Sequence, residues 1–260
     1  QYNNPVILIL AVVMSLAQTL ISYFYSDKIA LFTSGAQLAS RQNFLELHRI
    51  VENLAITAGI PQPKVFVISD QSLNAFATGR DPEHASLAVT AGLLEKLTKP
   101  QLEGVISHEL SHIKNYDIRV MTIVVILVGI VSLVANLFMR WQFWGGGRDR
   151  DEGGGGNQII ALLGFVVILI SPIVGMLIQL AISRKREYLA DASGALLTRY
   201  PEGLASALEV ISEDTRPMQS ASPATAHLFI ANPLTNQNVS SLFSTHPPIK
   251  DRVRKLRSMV

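Results

Sequence analysis

Five consecutive residues, His108-Glu109-Leu110-Ser111-His112, hold the densest chemistry in this 260-residue chain. Histidines at i and i+4 of a helix stand one above the other on a single face, so both imidazoles can bind one Zn²⁺. Glu109 sits one position round that face and can act as general base toward a water activated for attack on a peptide carbonyl. The plain alternative is two histidines on an exposed helix surface. The chain has no cysteine. Thiolate metal sites and disulfide scaffolds are therefore excluded, and any metal must be held by His, Asp or Glu.

A catalytic zinc needs a third protein ligand and an open coordination position. The pattern that places a further histidine six residues after His112 is excluded, because residue 118 is Ile. Glu187 and Asp191 are better candidates, four residues apart in Arg186-Glu187-Tyr188-Leu189-Ala190-Asp191. One carboxylate can bind the metal while the other hydrogen-bonds a ligand imidazole and fixes its tautomer. The alternative is a pair of exposed acids that balance the Arg184–Arg186 cluster.

The elements that must position these residues are unusually apolar. Hydrophobic residues make up 48% of the chain, and charged residues only 16%, where about 25% is usual. Mean hydropathy is +0.30. The deficit of charge is local. Residues 5–25, 120–139 and 159–182 are uncharged runs, each near the roughly 20 residues a helix needs to cross a bilayer. The first lacks the basic n-region and the cleavage site of a signal peptide. The expected chain is therefore an α+β membrane protein with about three transmembrane helices. Residues 1–26 form the first helix. Residues 27–119 form a cytoplasmic catalytic part that ends in the motif helix. Residues 120–183 form a membrane hairpin with a Gly-rich external loop at 141–156, and residues 184–260 form a second cytoplasmic catalytic part. Basic residues flanking the spans set this orientation. The hairpin brings Glu187 back to the interface where the motif helix ends. Gln1 then lies outside, and the expectation is that another span precedes it.

Within the polar parts, residues 41–58 are expected as an amphipathic helix ending near Gly59. Residues 64–68, 72–78 and 86–90 are expected as strands, and 91–97 as a short helix. Thr98, Pro100 and Gln101 form the start signal of a helix over 100–115. Residues 184–198, 201–213 and 247–258 read as helices, and 214–245 as a long loop. Near-neutral net charge, +2, gives no reason to expect a nucleic-acid partner.

At these residues the chain resembles the HtpX family of membrane zinc metalloproteases, relatives of the CAAX prenyl protease. Besides the histidine motif, the resemblance rests on Asn74-Ala75-Phe76-Ala77-Thr78-Gly79, Asp117, Glu187 to Asp191, and His246-Pro247-Pro248 followed by Arg252. It implies a mostly helical gluzincin-type domain with a small sheet, and one Zn²⁺ per chain held by His108, His112 and Glu187. Asp191 would support a ligand. The resemblance further implies that Asn74, on the sheet edge, contacts substrate backbone, and that His246 and Arg252 steady substrate or the tetrahedral oxyanion. The implied location is the bacterial cytoplasmic (inner) membrane, with the active site on the cytoplasmic side. The implied function is proteolytic quality control of membrane-protein or unfolded polypeptide substrates beside the lipid bilayer. Two rivals are a CAAX-type processing protease of lipidated C-termini and a metal-dependent membrane scaffold without turnover. The first expects more spans, and the second has no need of Glu109. A transporter or channel expects ionisable groups inside the spans, and the three runs have none.

Overall fold

The computed structural model describes residues 25–121, 123–124, 184–214, 216–219, 225–231, 233 and 247–259. The three uncharged runs lie outside these residues except at their margins, and so does His246. Among the described residues, no helix is long and apolar enough to cross a membrane.

The chain opens with helix α1 (Ser26–Thr33) and strand β1 (Ala36–Leu38), then helix α2 (Leu45–Ala58). Leu47, Ile50, Val51, Leu54, Ala55 and Ala58 form the buried stripe of α2, the spacing expected of a helix with one apolar face. Gly59, at φ 71°, ends it in the left-handed region that glycine enters freely. The helix starts later than its apolar pattern suggests. Asn43 and Phe44 donate backbone bonds to Ser40 in a separate turn.

Strands β2 (Lys64–Ile68), β3 (Ala75–Gly79) and β4 (Ala85–Thr90) complete a mixed sheet in the order β1-β2-β4-β3. β2 runs parallel to β4, while β1 pairs antiparallel with β2 and β3 antiparallel with β4. The expected strand over 72–78 begins only at Ala75 because side chains take the preceding backbone groups. Leu73 N–H donates to Asp214 Oδ2 at 2.9 Å, and Thr90 Oγ1 donates to Ser72 C=O at 2.6 Å. Asp81 Oδ1 accepts the His84 N–H at 2.8 Å and so caps the short turn that joins β3 to β4. Neither α1 nor β1 was expected, since three strand residues are too few to show a period.

Alternation along the strands separates two cores. Val65, Val67, Ala75, Ala77, Leu87 and Val89 face the larger core, together with α2 and the later helices. Ile68, Phe76 and Ala88 face a smaller one, with Ala30, Leu31, Met121, Met218, Leu228 and Phe229. The sheet is thus covered on both faces.

A short helix α3 (Ala91–Lys96) leads to the motif helix, α4 (Lys99–Lys114). Gln101 Oε1 accepts the Thr98 N–H at 3.0 Å, closing the capping box expected from the sequence. From Gly104 to Ile113 every residue of α4 is buried. It is the central helix, packed against α2, β3, α5 (Arg184–Thr198) and α6 (Pro201–Glu213). Helix α7 (Ile249–Arg257) packs on α6 and α5. At the crossing with α6, a Cβ on Gly104 would lie 2.5 Å from the Leu204 backbone nitrogen. Gly104→Ala must push two backbones apart, so it is expected to destabilise the fold by about 1–3 kcal/mol. A thermal melt checks this; an unchanged midpoint would mean that the crossing is looser than described.

Candidate active site

Helix α4 presents His108 and His112 on one face, and α5 brings Glu187 and Asp191 to meet them. α5 can approach so closely because Gly194, seven residues after Glu187, lies on the same face. A Cβ there would come within 3.0 Å of the His108 backbone nitrogen and of Ser107 Oγ.

The ligating atoms of His108, His112 and Glu187 all lie within 4.8 Å of one another. The two Nε2 atoms are 3.1 Å apart, and Glu187 is 3.5 Å from His112 Nε2 and 3.8 Å from His108 Nε2. These separations suit a triangle of ligands around one ion with bonds of about 2.0–2.2 Å. Both outward ring nitrogens are held by carboxylates. His108 Nδ1 is 3.0 Å from Asp191 Oδ1, and His112 Nδ1 is 2.9 Å from Asp117 Oδ2. Each bond fixes the tautomer in which Nε2 offers its lone pair to the shared space.

The charge balance also fits a metal. Among the described residues, four buried carboxylates, Glu109, Asp117, Glu187 and Asp191, lie with two guanidinium groups, those of Arg252 and Arg186. The shortfall of two positive charges is that of one divalent cation. None of His108, Glu109, His112, Glu187 or Asp191 is more than 4% exposed, so water cannot screen the imbalance. Burial pushes His108 down to about 4, helped by Arg252 and by His112. Burial also works against a charged His112, but the Asp117 hydrogen bond with the Glu187 and Glu109 charges carries it up to about 9. Without a metal, one proton on His112 therefore lies between the two Nε2 atoms. A divalent cation would compete with it for the same lone pairs.

Arg252 is fully buried, and the structure sets it against Asp191 and Glu187. Its Nε and Nη2 donate to the two oxygens of Asp191 at 2.9 and 2.7 Å. Burial disfavours the Asp191 charge, but Arg252 outweighs it and holds the carboxyl at about 2. The remaining nitrogen, Nη1, is a buried donor with no hydrogen-bond partner among the described residues, 3.5 Å from Glu187 Oε2. Asn74 is also buried, 3% exposed, with its side chain bonded to the backbone of Ala231.

Sequence reasoning assigned Asp117 no role of its own. Tyr116, at φ 60°, turns the chain sharply after α4 and returns Asp117 beneath His112. Arg186 Nη1 then bonds Asp117 Oδ1 at 3.0 Å, tying α5 to the end of α4. A left-handed tyrosine has no sequence signature, which is why this link was missed. Asp117→Asn is expected to weaken metal binding about 10- to 100-fold, as loss of an orienting partner commonly does. Competition with a metal chelator measures this, and unchanged affinity would remove Asp117 from the site.

Comparison with known proteins agrees with this geometry. The model of peptidase family M48 matches residues 41–260. A protein named protease HtpX homolog, from Caldanaerobacter subterraneus subsp. tengcongensis, is 51% identical over 241 residues, covering 92% of this chain and 80% of that protein. Another of the same name, from Pyrococcus furiosus, is 48% identical over 254 residues, covering 97% of this chain and 86% of that protein. In fold, the chain is similar to the crystal structure of S. mikatae Ste24p, with a TM-score of 0.56 at 21% identity. That match covers 95% of this chain and 57% of the other. A family match over most of the chain, relatives identical at about half of all positions and a cluster of metal-ligating side chains lead to one conclusion: the chain is a metalloprotease and belongs to peptidase family M48.

Proposed function

We propose that the chain is a membrane-anchored zinc endopeptidase in which His108, His112 and Glu187 hold the metal and Glu109 is the general base. One observation carries this reading: three ligating atoms from two helices converge in a buried pocket, with Glu109 beside them on α4. A zinc ion in that position supplies Lewis acidity, which makes water nucleophilic near neutral pH and polarises a carbonyl.

The chain's own residues do the rest. Asp191 and Asp117 hold the imidazoles in register. Glu109 takes the proton of the attacking water and returns it to the leaving amide nitrogen, so one carboxylate serves first as base and then as acid. Nη1 of Arg252, a buried cationic donor beside Glu187, would stabilise negative charge developing on the carbonyl oxygen. In this reading His246 assists from the segment before α7, and the uncharged runs anchor the domain in a bacterial inner membrane with the site on the cytoplasmic side. Membrane proteins and unfolded polypeptides presented at that surface are the substrates, which makes proteolytic quality control the role.

The test is cleavage of unfolded casein by the purified protein in detergent. Cleavage is expected to stop with a zinc chelator and to return when zinc is added back. Cleavage indifferent to the chelator would contradict the proposal.

A further inference from the structure

Asn74 immediately precedes Ala75, the first residue of β3, which lies at one edge of the described sheet. In an antiparallel ladder, successive residues turn their backbone groups alternately toward the partner strand and away from it. Asn74 faces β4, its C=O accepting from the Thr90 N–H at 3.0 Å. Ala75 therefore faces outward, and its C=O accepts the N–H of Ile230 at 3.0 Å. One residue further on, the Asn74 carboxamide grips both backbone groups of Ala231. Nδ2 donates to the Ala231 C=O at 3.0 Å, and Oδ1 accepts the Ala231 N–H at 3.3 Å.

The segment divides its side chains between the two cores. Phe229 enters the smaller core with its ring edge-on to Phe76, centroids 4.9 Å apart, while Ile230 enters the larger core. Met218 N–H donates to Pro233 C=O at 3.1 Å, and Gln219 N–H donates to Asp70 Oδ2 at 3.0 Å. The first bond joins the two ends of the segment and the second ties Gln219 to Asp70, both independently of the contact with β3.

An edge strand binds extended peptide through these same main-chain groups. One carbonyl and one carboxamide can serve only one peptide at a time. We propose that Phe229-Ile230-Ala231 is an internal occupant of the peptide-binding edge, which substrate must displace to reach the metal site. The inference rests on the peptidase reading above and takes from it the role of Asn74. The occupant also indicates the class of peptide the edge accepts: an extended, unfolded segment with two large apolar residues followed by a small one.

The experiment compares casein cleavage by the wild type, Ile230→Pro and Ala231→Pro. Each substitution deletes one N–H donor of the occupant and touches no catalytic group. If the segment competes with substrate, each variant raises kcat/KM about fivefold, mainly through a lower KM, since one hydrogen bond shifts occupancy by roughly that factor. A second measurement covers the chance that the prolines disturb folding. In zinc-loaded Glu109→Gln protein, saturating casein is expected to speed hydrogen exchange at the Ile230 and Ala231 amides and to leave α4 unchanged. Amides that stay protected under casein overturn the inference, as does unchanged or lower kcat/KM in variants that fold normally. A wild type with no zinc-dependent cleavage overturns the peptidase reading first, and the occupant with it.

Discussion

Glu109→Gln is expected to lose peptide cleavage by a factor of about 10²–10⁴, the usual contribution of a positioned general base, and to keep its metal. The side chain sits on α4 between the two histidine ligands in sequence but outside the ligand triangle, and it is buried in the same pocket. Glutamine preserves its shape and removes only the ability to accept a proton. Metal analysis should therefore match the wild type while turnover collapses, and substrate binding should change little. If the variant cleaved casein at the wild-type rate, the proton transfer would have to be assigned elsewhere. If it lost metal as well, Glu109 would have to be counted among the ligands.

Glu187→Ala is the complementary case, with loss of metal as the primary event. Its carboxylate spans both Nε2 atoms, at 3.5 and 3.8 Å, and supplies the only negative charge in the ligand triangle. Removing it should cost more affinity than the roughly 10- to 100-fold expected when an orienting partner is lost. Stability gives an independent readout. A ligand at a hundred times its dissociation constant stabilises a fold by about 2.7 kcal/mol, so zinc should raise the unfolding midpoint of the wild type. Glu187→Ala should show little or no such rise at the same zinc concentration. A full zinc-dependent shift in this variant would show that the third ligand is another residue.

The parts of the site legible in the sequence were those written in local spacing. His108 and His112 needed only helical periodicity and a capping signal at Thr98 to be placed on one face. Glu187 and Asp191 were found because their own spacing repeats that of the histidines, and because the uncharged runs between His112 and Glu187, read as a membrane hairpin, would return the chain to the end of the motif helix. Helix α4 itself, fully buried from Gly104 to Ile113, gives no amphipathic stripe, and its assignment rested on its ends. What the sequence did not disclose depends on contacts between distant segments or on backbone strain. Asp117 reaches His112 only because Tyr116 takes a positive φ. Asn74 is 157 positions from Ala231, the residue whose backbone it holds, and nothing in the sequence over 214–245 announces that partner. Arg252 was singled out, yet its two bonds to Asp191 follow from the packing of α7 on α5 and have no local pattern.

The central claim is that one divalent ion, held by His108, His112 and Glu187, works with Glu109 to cut peptide bonds. Titrating metal-free protein with zinc while following casein cleavage tests it most directly. Activity is expected to rise from zero and level off near one equivalent per chain, while Glu109→Gln takes up the same equivalent and stays inactive. Cleavage by the metal-free protein, or no cleavage at any zinc concentration, would contradict the account.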